Sequence, residues 1–301
     1  MKRQDFRLMQ RMRVRWAEVD AQKIVFNGHY LMYFDTAMAD YWRELAFPYM
    51  EAMPGQDGDM YVKKATLEYH ASAHYDEQID VGLRCARIGT SSVQFLGGIF
   101  RGDQLLISGE LVYVFADPAT QTSRPLPQAL RDLFLGYEDG QPSVRVRSGS
   151  WATLGADAAA IRTRVFIEEQ GIPNELEWDE ADNSALHAVA YNRLGLAVAT
   201  GRLLQHEAGV GRIGRMAVHQ ALRGSNLGRD ILTALLAAAR TRGDAEVMLH
   251  AQTSAQGFYS RLGFLPRGPR FDEVGIAHQE MFIRLDGPGA PRLPGDLKVA
   301  D

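Results

Sequence analysis

One stretch limits the folds open to this chain more than any other: residues 212–240, RIGRMAVHQALRGSNLGRDILTALLAAAR. Ile213, Met216 and Val218 make a short apolar strand, Arg223 to Gly228 a turn of small residues, and Ile231, Leu232, Leu235, Leu236 and Ala239 recur at helical spacing. Such a turn leaves several backbone N–H groups pointing at one spot, where the start of the helix adds partial positive charge. A phosphate or pyrophosphate can sit there. Arg223 and Arg229 add formal charge on either side. Gly-rich strand-to-helix turns also occur simply for tight packing, so spacing alone leaves both readings open.

With 301 residues the chain has room for two ordinary domains, each with its own core. A net charge of −4 and the lack of any Lys/Arg run argue against nucleic acid or an anionic membrane surface as partners. Cys85 is the single cysteine, which excludes an internal disulfide framework and fits a reducing compartment. The N-terminus MKRQDFRLMQ has no apolar signal core, and no run of eighteen apolar residues follows. The expectation is a soluble, cytoplasmic protein.

Along the N-terminal half, Arg11 to Trp16 alternates like a strand and Ala17 to Phe26 reads as a loop. From Gly28 to Phe47, Tyr30, Leu31, Phe34, Ala37, Met38, Tyr41, Trp42 and Leu45 fall three or four apart, which predicts one long helix closed by Pro48. Strand-like runs follow at Tyr61 to His74, Ile79 to Ile88, Ser92 to Phe100 and Gln104 to Phe115, with sequence neighbours pairing antiparallel. The pattern implies a curved sheet wrapped around a helix. His70 and His74 would share a strand face, but no third ligand accompanies them and no metal site is expected. Pro125 to Phe134 reads as a closing helix, and Gly136 to Ser143 has linker composition.

The run Trp16-Ala17-Glu18-Val19-Asp20-Ala21 with Ile24-Val25-Phe26-Asn27-Gly28-His29-Tyr30-Leu31-Met32-Tyr33-Phe34 resembles a hotdog-fold thioesterase of the 4-hydroxybenzoyl-CoA thioesterase type. The resemblance implies that Asp20 acts on a thioester carbonyl, as nucleophile or as base for water. It also implies that the backbone N–H of Asn27, at the start of the helix, receives the oxyanion, and that the domain pairs by its sheet edge into a homodimer or higher assembly. The chemistry is sound on its own terms, since one carboxylate suffices for an activated thioester if preorganised donors meet the oxyanion. Asp20 capping a turn and Asn27 capping the helix is the plainer alternative. Lys23 stands where the family has Gly. Glu18 reads as a solvated loop charge or a second carboxylate, and His29 as a cap or surface residue.

In the second half, Ser143 to Trp151 reads as a strand and Asp157 to Gln170 as a helix with Asp157 as its N-cap. Asn174 to Ser184 is an acidic loop, either solvated surface or a site mouth suited to a cationic amine. Strands are expected at Leu186 to Asn192, Leu196 to His206, Arg212 to His219 and Glu246 to Gln252, and a short helix over Ala255 to Phe264.

Arg223, Gly224, Ser225, Asn226, Leu227 and Gly228 resemble the coenzyme A pyrophosphate loop of GNAT acetyltransferases, with Asn226 where that pattern has its middle Gly. Asn tolerates the left-handed geometry such a turn requires. AQGFYSRLGF resembles the GNAT segment whose Tyr protonates the departing thiolate, here Tyr259, although Phe258 and Tyr259 also fit as core aromatics. VFIEEQGIP, WDEAD, IGRMAV and FDEVGIAHQEM extend the resemblance to the ElaA- and YjcF-like subgroup. It implies that the backbone of Met216 and Val218 holds the pantetheine arm, and that Arg223 to Arg229 holds the pyrophosphate. Glu168, Glu169, His250 and His278 are candidate bases for the amine, His278 the first to test; a water chain is the alternative, and His278 fits a core or loop position equally well.

The expectation is thus an α+β chain of two domains: a hotdog domain over 1–136, a linker over 137–143, a GNAT mixed-sheet domain over 144–285 and a flexible tail over 286–301. The expected activities are acyl-CoA hydrolysis and acyl transfer to a small amine, with acetyl-CoA or acyl-CoA as co-substrate and no tightly bound cofactor. Lys23 and Asn226 motivate the alternative, a domain that binds acyl-CoA without turnover.

Overall fold

The structure, a computed structural model, describes residues 1–273 and 275–286. The expected tail lies outside the described residues except for Asp286. Two compact units divide between Ser143 and Val144.

The first unit runs β1 (Leu8–Arg13), α1 (His29–Glu44), the short α2 (Tyr49–Ala52), β2 (Asp59–Tyr69), β3 (Gln78–Ile88), β4 (Ser92–Arg101), β5 (Gln104–Ala116) and α3 (Gln128–Glu138). Its strands form one antiparallel sheet in the order β1-β3-β4-β5-β2, the hotdog arrangement. α1 buries Tyr30, Tyr33, Phe34, Ala37, Met38, Tyr41 and Trp42, so Tyr33 rather than Leu31 completes the apolar stripe. The helix stops early because Ala46 turns left-handed (φ 51) and the N–H of Phe47 closes back on Trp42.

Two glycines seat this helix. Gly97 and Gly109 face each other across β4 and β5, and the fully buried Phe34 ring fills the slot between them. A Cβ on Gly97 would lie 2.3 Å from that ring. Gly97→Ala is therefore expected to destabilise the unit by about 1–3 kcal/mol, read as a lowered unfolding midpoint.

Several expectations need correction. The first strand is Leu8–Arg13, because Arg15 and Glu18 close a 3₁₀ turn over Trp16–Glu18 and pull Trp16 out of the ladder. β2 ends at Tyr69, so His70 and His74 share no strand face; His70 bonds Ser108 (2.9 Å) and His74 faces Glu77 (3.4 Å). Among the described residues no cluster of metal-ligating side chains occurs. Tyr137 and Glu138 are not linker: Tyr137 is buried, and Glu138 accepts from Tyr41 and from the backbone of Cys85.

The second unit runs β6 (Val144–Gly149), α4 (Trp151–Arg162), a π-helical continuation (Thr163–Glu169), α5 (Asn174–Glu177), β7 (Leu186–Asn192), β8 (Ala197–Glu207), β9 (Val210–Val218), α6 (Leu227–Arg242), β10 (Glu246–Gln252), α7 (Gln256–Arg261), β11 (Leu265–Glu273) and β12 (Ile276–Arg284). The sheet order is β11-β12-β10-β9-β8-β7-β6, antiparallel except where α6 crosses over to make β9 and β10 parallel. The helix starts at Trp151 behind an extended Ser150, so Asp157 is no N-cap; it lies inside the helix and accepts from Tyr191.

The acidic loop is solvated only in part. Glu177 and Asp182 are buried, and both bond the buried Arg162, Asp182 at 2.8 Å. Arg202 bonds Asp179 (2.6 Å) and Asp182 (2.7 Å), and Arg215 reaches Glu177 and Asp179 at 3.3 Å each. The Arg162 guanidinium also lies 4.7 Å from the Trp178 ring. Glu175, Asp179 and Glu180 are the exposed acids of that run, and of these Asp179 is paired with Arg202 and Arg215.

Candidate active sites

In the first unit a small hairpin leads into α1. Val19 bridges Val25, the N–H of Phe26 donates to Glu18, and the N–H of Asp20 donates to Ile24, which puts residue 20 on the same ladder as residue 26. At its tip Asp20 accepts from the N–H of Gln22 (2.8 Å) through Oδ1. Among the described residues its Oδ2 has no partner. Lys23 sits at φ 63, the left-handed region that explains why a Gly suits this position.

Helix α1 begins behind Gly28 with no side-chain cap, so Asn27 does not cap it. Among the described residues the N–H groups of Asn27 and Gly28 have no acceptor, while the Asn27 carbonyl accepts from Tyr69 (3.2 Å). A helix start with open N–H groups attracts an oxyanion. His29 contacts Met32 and Phe26 rather than capping. Glu18, expected as a loop charge, is buried. Burial opposes its ionisation, but the Arg15 N–H, the Tyr33 hydroxyl (2.7 Å) and the Arg15 guanidinium hold its carboxyl below the ordinary value. It anchors the loop and is engaged away from any substrate.

In the second unit, two clefts meet at one tyrosine. β9 and β10 pair only from Val210 to Ile213, and beyond that β9 bulges at Arg215 (φ 51) and leaves its neighbour. His219 donates to Val198 on the β8 side, so by alternation the N–H and C=O of Met216 and Val218 face the opened side. Arg223 occupies the Val218 carbonyl at 3.3 Å.

The first cleft, about 770 Å³, is lined by Met216, Val218, Arg223, Gly224, Asn226, Leu227, Gly228 and Arg229. Ser225 is the expected residue that does not line it; its hydroxyl donates to Leu222. Asn226 is left-handed (φ 67), as is Gly224 (φ 91). A Cβ at Gly228 would make only ordinary contacts, which suits a Gly-or-Ala position. Among the described residues the N–H groups of Gly224, Asn226, Leu227, Gly228 and Arg229 have no acceptor, so they form an open nest at the start of α6. Arg223 is not an open charge. Glu169 clamps it at 2.6 and 2.7 Å, which also removes Glu169 from the amine side.

The second cleft, about 450 Å³, also reaches Tyr259 and shares Met216, Gln170, Gln252 and Ala255 with the first. Gln170 and Gln252 bond each other at 3.1 Å; neither was singled out in the sequence, where an isolated Gln carries no signal. Burial pushes the Tyr259 phenol up to about 12, so it keeps its proton at neutral pH. His278 is buried and stacked on Phe271, with Nδ1 2.8 Å from the Ile276 carbonyl. A carbonyl only accepts, so the neutral ring carries its proton on Nδ1 and leaves the Nε2 lone pair open. His250 also lines this cleft; burial and then the Arg212 charge push it below the ordinary His value. Glu168 is exposed and lines neither cleft.

Comparison with known proteins finds a family match for each unit. Residues 155–285 match the family model of the acetyltransferase (GNAT) domain, and residues 22–108 that of the thioesterase superfamily. The uncharacterized N-acetyltransferase YjcF of Bacillus subtilis (strain 168) is 35% identical over 126 residues, 42% of this chain and 89% of that protein. Protein ElaA of Escherichia coli (strain K12) is 31% identical over 122 residues, 39% of this chain and 79% of its own length. The solved structure of a 1,4-dihydroxy-2-naphthoyl-CoA thioesterase from Synechocystis aligns at 17% identity with a TM-score of 0.40, over 42% of this chain and 94% of that one. No described helix is long and apolar enough to cross a membrane. By its second unit the chain belongs to the GNAT acetyltransferase family, and ahead of that unit it carries a hotdog domain of the thioesterase superfamily.

Proposed function

We propose that the chain uses acyl-coenzyme A at two separate sites, hydrolysing a thioester in the first unit and transferring an acyl group to an amine in the second. The observation that carries the reading is the meeting of the two clefts at Tyr259, one ending in an open N–H nest and the other in a histidine with a free lone pair. Coenzyme A occupies the first cleft as co-substrate, with its pyrophosphate on Gly224 to Arg229 and its pantetheine arm along Met216 and Val218. The amine enters the second.

The amine lone pair attacks the thioester carbonyl carbon while His278 Nε2 takes the amine proton. The C–S bond then breaks, and the leaving sulfur takes the Tyr259 proton to depart as a thiol. Holding both partners in adjoining clefts removes much of the entropic barrier. In the first unit Asp20 takes a proton from the water that adds to the thioester carbonyl, or adds to that carbon itself to give an anhydride that water then opens. The Asn27 N–H meets the oxyanion, and the C–S bond breaks to release coenzyme A. The same reading has a homodimer formed through the hotdog sheet, whose open edge β2 exposes Val62 and Tyr69, in a reducing compartment such as the cytoplasm.

Tyr259→Phe tests the transfer half. Removing the phenolic proton is expected to slow acyl transfer roughly a hundredfold. Coenzyme A affinity, measured by calorimetry, should stay close to wild type. An unchanged rate removes Tyr259 from the mechanism.

A further inference from the structure

The second cleft has a floor made by the β9 bulge. Opposite the single residue Gly201 the strand holds two, Arg215 and Met216. A regular strand puts residues 212 and 215 on opposite faces, but the extra residue brings both arginines to the cleft, with Gly214 between them. A Cβ on Gly214 would meet nothing within 4 Å, so the floor between the arginines is bare.

The two guanidinium groups differ in their partners. Arg215 is balanced by Glu177 and Asp179. Among the described residues Arg212 has one hydrogen-bond partner, His250 Nδ1 at 3.2 Å, and no carboxylate lies within 4.0 Å of it. The acidic-loop carboxylates that line this cleft, Glu177 and Asp179, could have favoured a cationic ligand but are tied to Arg162, Arg202 and Arg215. Glu273 is the other acid of the cleft and faces His250 at 3.5 Å. Phe166, Ile172 and Leu176 supply an apolar wall.

From this arrangement we infer that the acceptor is an amine that also carries a carboxylate, held by Arg212 on the floor, with an apolar body against the Phe166 side. This deepens the reading of the second cleft as the acceptor cleft and rests on it. A guanidinium with open donors matches a planar carboxylate through paired hydrogen bonds, which neither an amide nor an alkyl group can replace.

The test is equilibrium binding to the full chain saturated with coenzyme A, followed by calorimetry. The probes are leucine, phenylalanine and 6-aminohexanoate, each paired with its carboxamide. At least one acid is expected to bind about tenfold or more tightly than its amide, as loss of a charge-assisted bond implies. In Arg212→Gln that acid-to-amide preference falls to near one, and Arg212→Lys retains part of it. The unfolding midpoint of each variant shows that it is folded. Equal or tighter binding of the amides, no binding by any probe, or a preference that survives Arg212→Gln overturns the inference. Because binding is read without turnover, a chain that binds the acids through Arg212 yet transfers no acyl group contradicts the proposed activity and leaves the acceptor class standing.

Discussion

Arg162→Met is expected to destabilise the second unit by about 3–5 kcal/mol, the range for breaking a buried ion pair from one side. Glu177 and Asp182 are as buried as Arg162 itself, so removing the guanidinium leaves two carboxylates short of a partner in a place water does not reach. The apolar part of the Met side chain keeps some of the packing against Trp151 and Trp178, which isolates the charge loss from a cavity. Chemical denaturation that reports on this unit measures the effect directly.

The two aspartates of the same network give a pH dependence of one sign, while Glu177, whose carboxyl burial raises, contributes in the opposite direction. Burial alone would raise the Asp182 carboxyl, but Arg162 and Arg202 hold it below the ordinary value; Arg202 does the same for Asp179. A carboxyl whose folded value lies below its unfolded one stabilises the fold above the unfolded value. That contribution disappears as pH falls toward the depressed folded values. The second unit should therefore weaken below about pH 4 in wild type. It should weaken less steeply in Arg162→Met, where less depression remains to be lost.

Asp20→Asn is the second large effect. If the Asp20 carboxylate acts as base or nucleophile, its loss slows thioester hydrolysis by roughly 10²–10⁴-fold. Asn keeps an oxygen for the Gln22 N–H, so the turn that Asp20 caps is retained and acyl-CoA binding should persist. Binding measured beside turnover separates the two roles: lost turnover with retained binding is the predicted outcome. Lost binding together with a lowered unfolding midpoint would return Asp20 to its capping role.

Local pattern made much of this legible in advance. Most of the α1 stripe follows from spacing, Leu31 excepted, and the left-handed Asn226 follows from what that side chain tolerates at a turn. Two of the features that escaped depend on partners far away in sequence. Tyr137 and Glu138 sit among linker-like residues, and partners in distant elements, Arg7, Tyr41 and Cys85, make them structural. The acidic loop reads as surface until Arg202 and Arg215 are brought across it. The bulge in β9 has a left-handed Arg rather than Gly, so no residue type announced it. β11 contains Pro266, Gly268 and Pro269, which argue against a strand; it forms because it is the sheet edge, where a missing N–H is tolerated.

The most direct measurement of the central claim is free-thiol release from a panel of acyl-CoA thioesters, with and without amine acceptors, on wild type, Asp20→Asn and Tyr259→Phe. Two independent sites predict two separable activities: amine-independent release that disappears in Asp20→Asn, and amine-dependent release that persists there and falls in Tyr259→Phe. If no thioester is hydrolysed without amine by the wild type, the hotdog unit is a binding or dimerisation module and the two-site account is wrong.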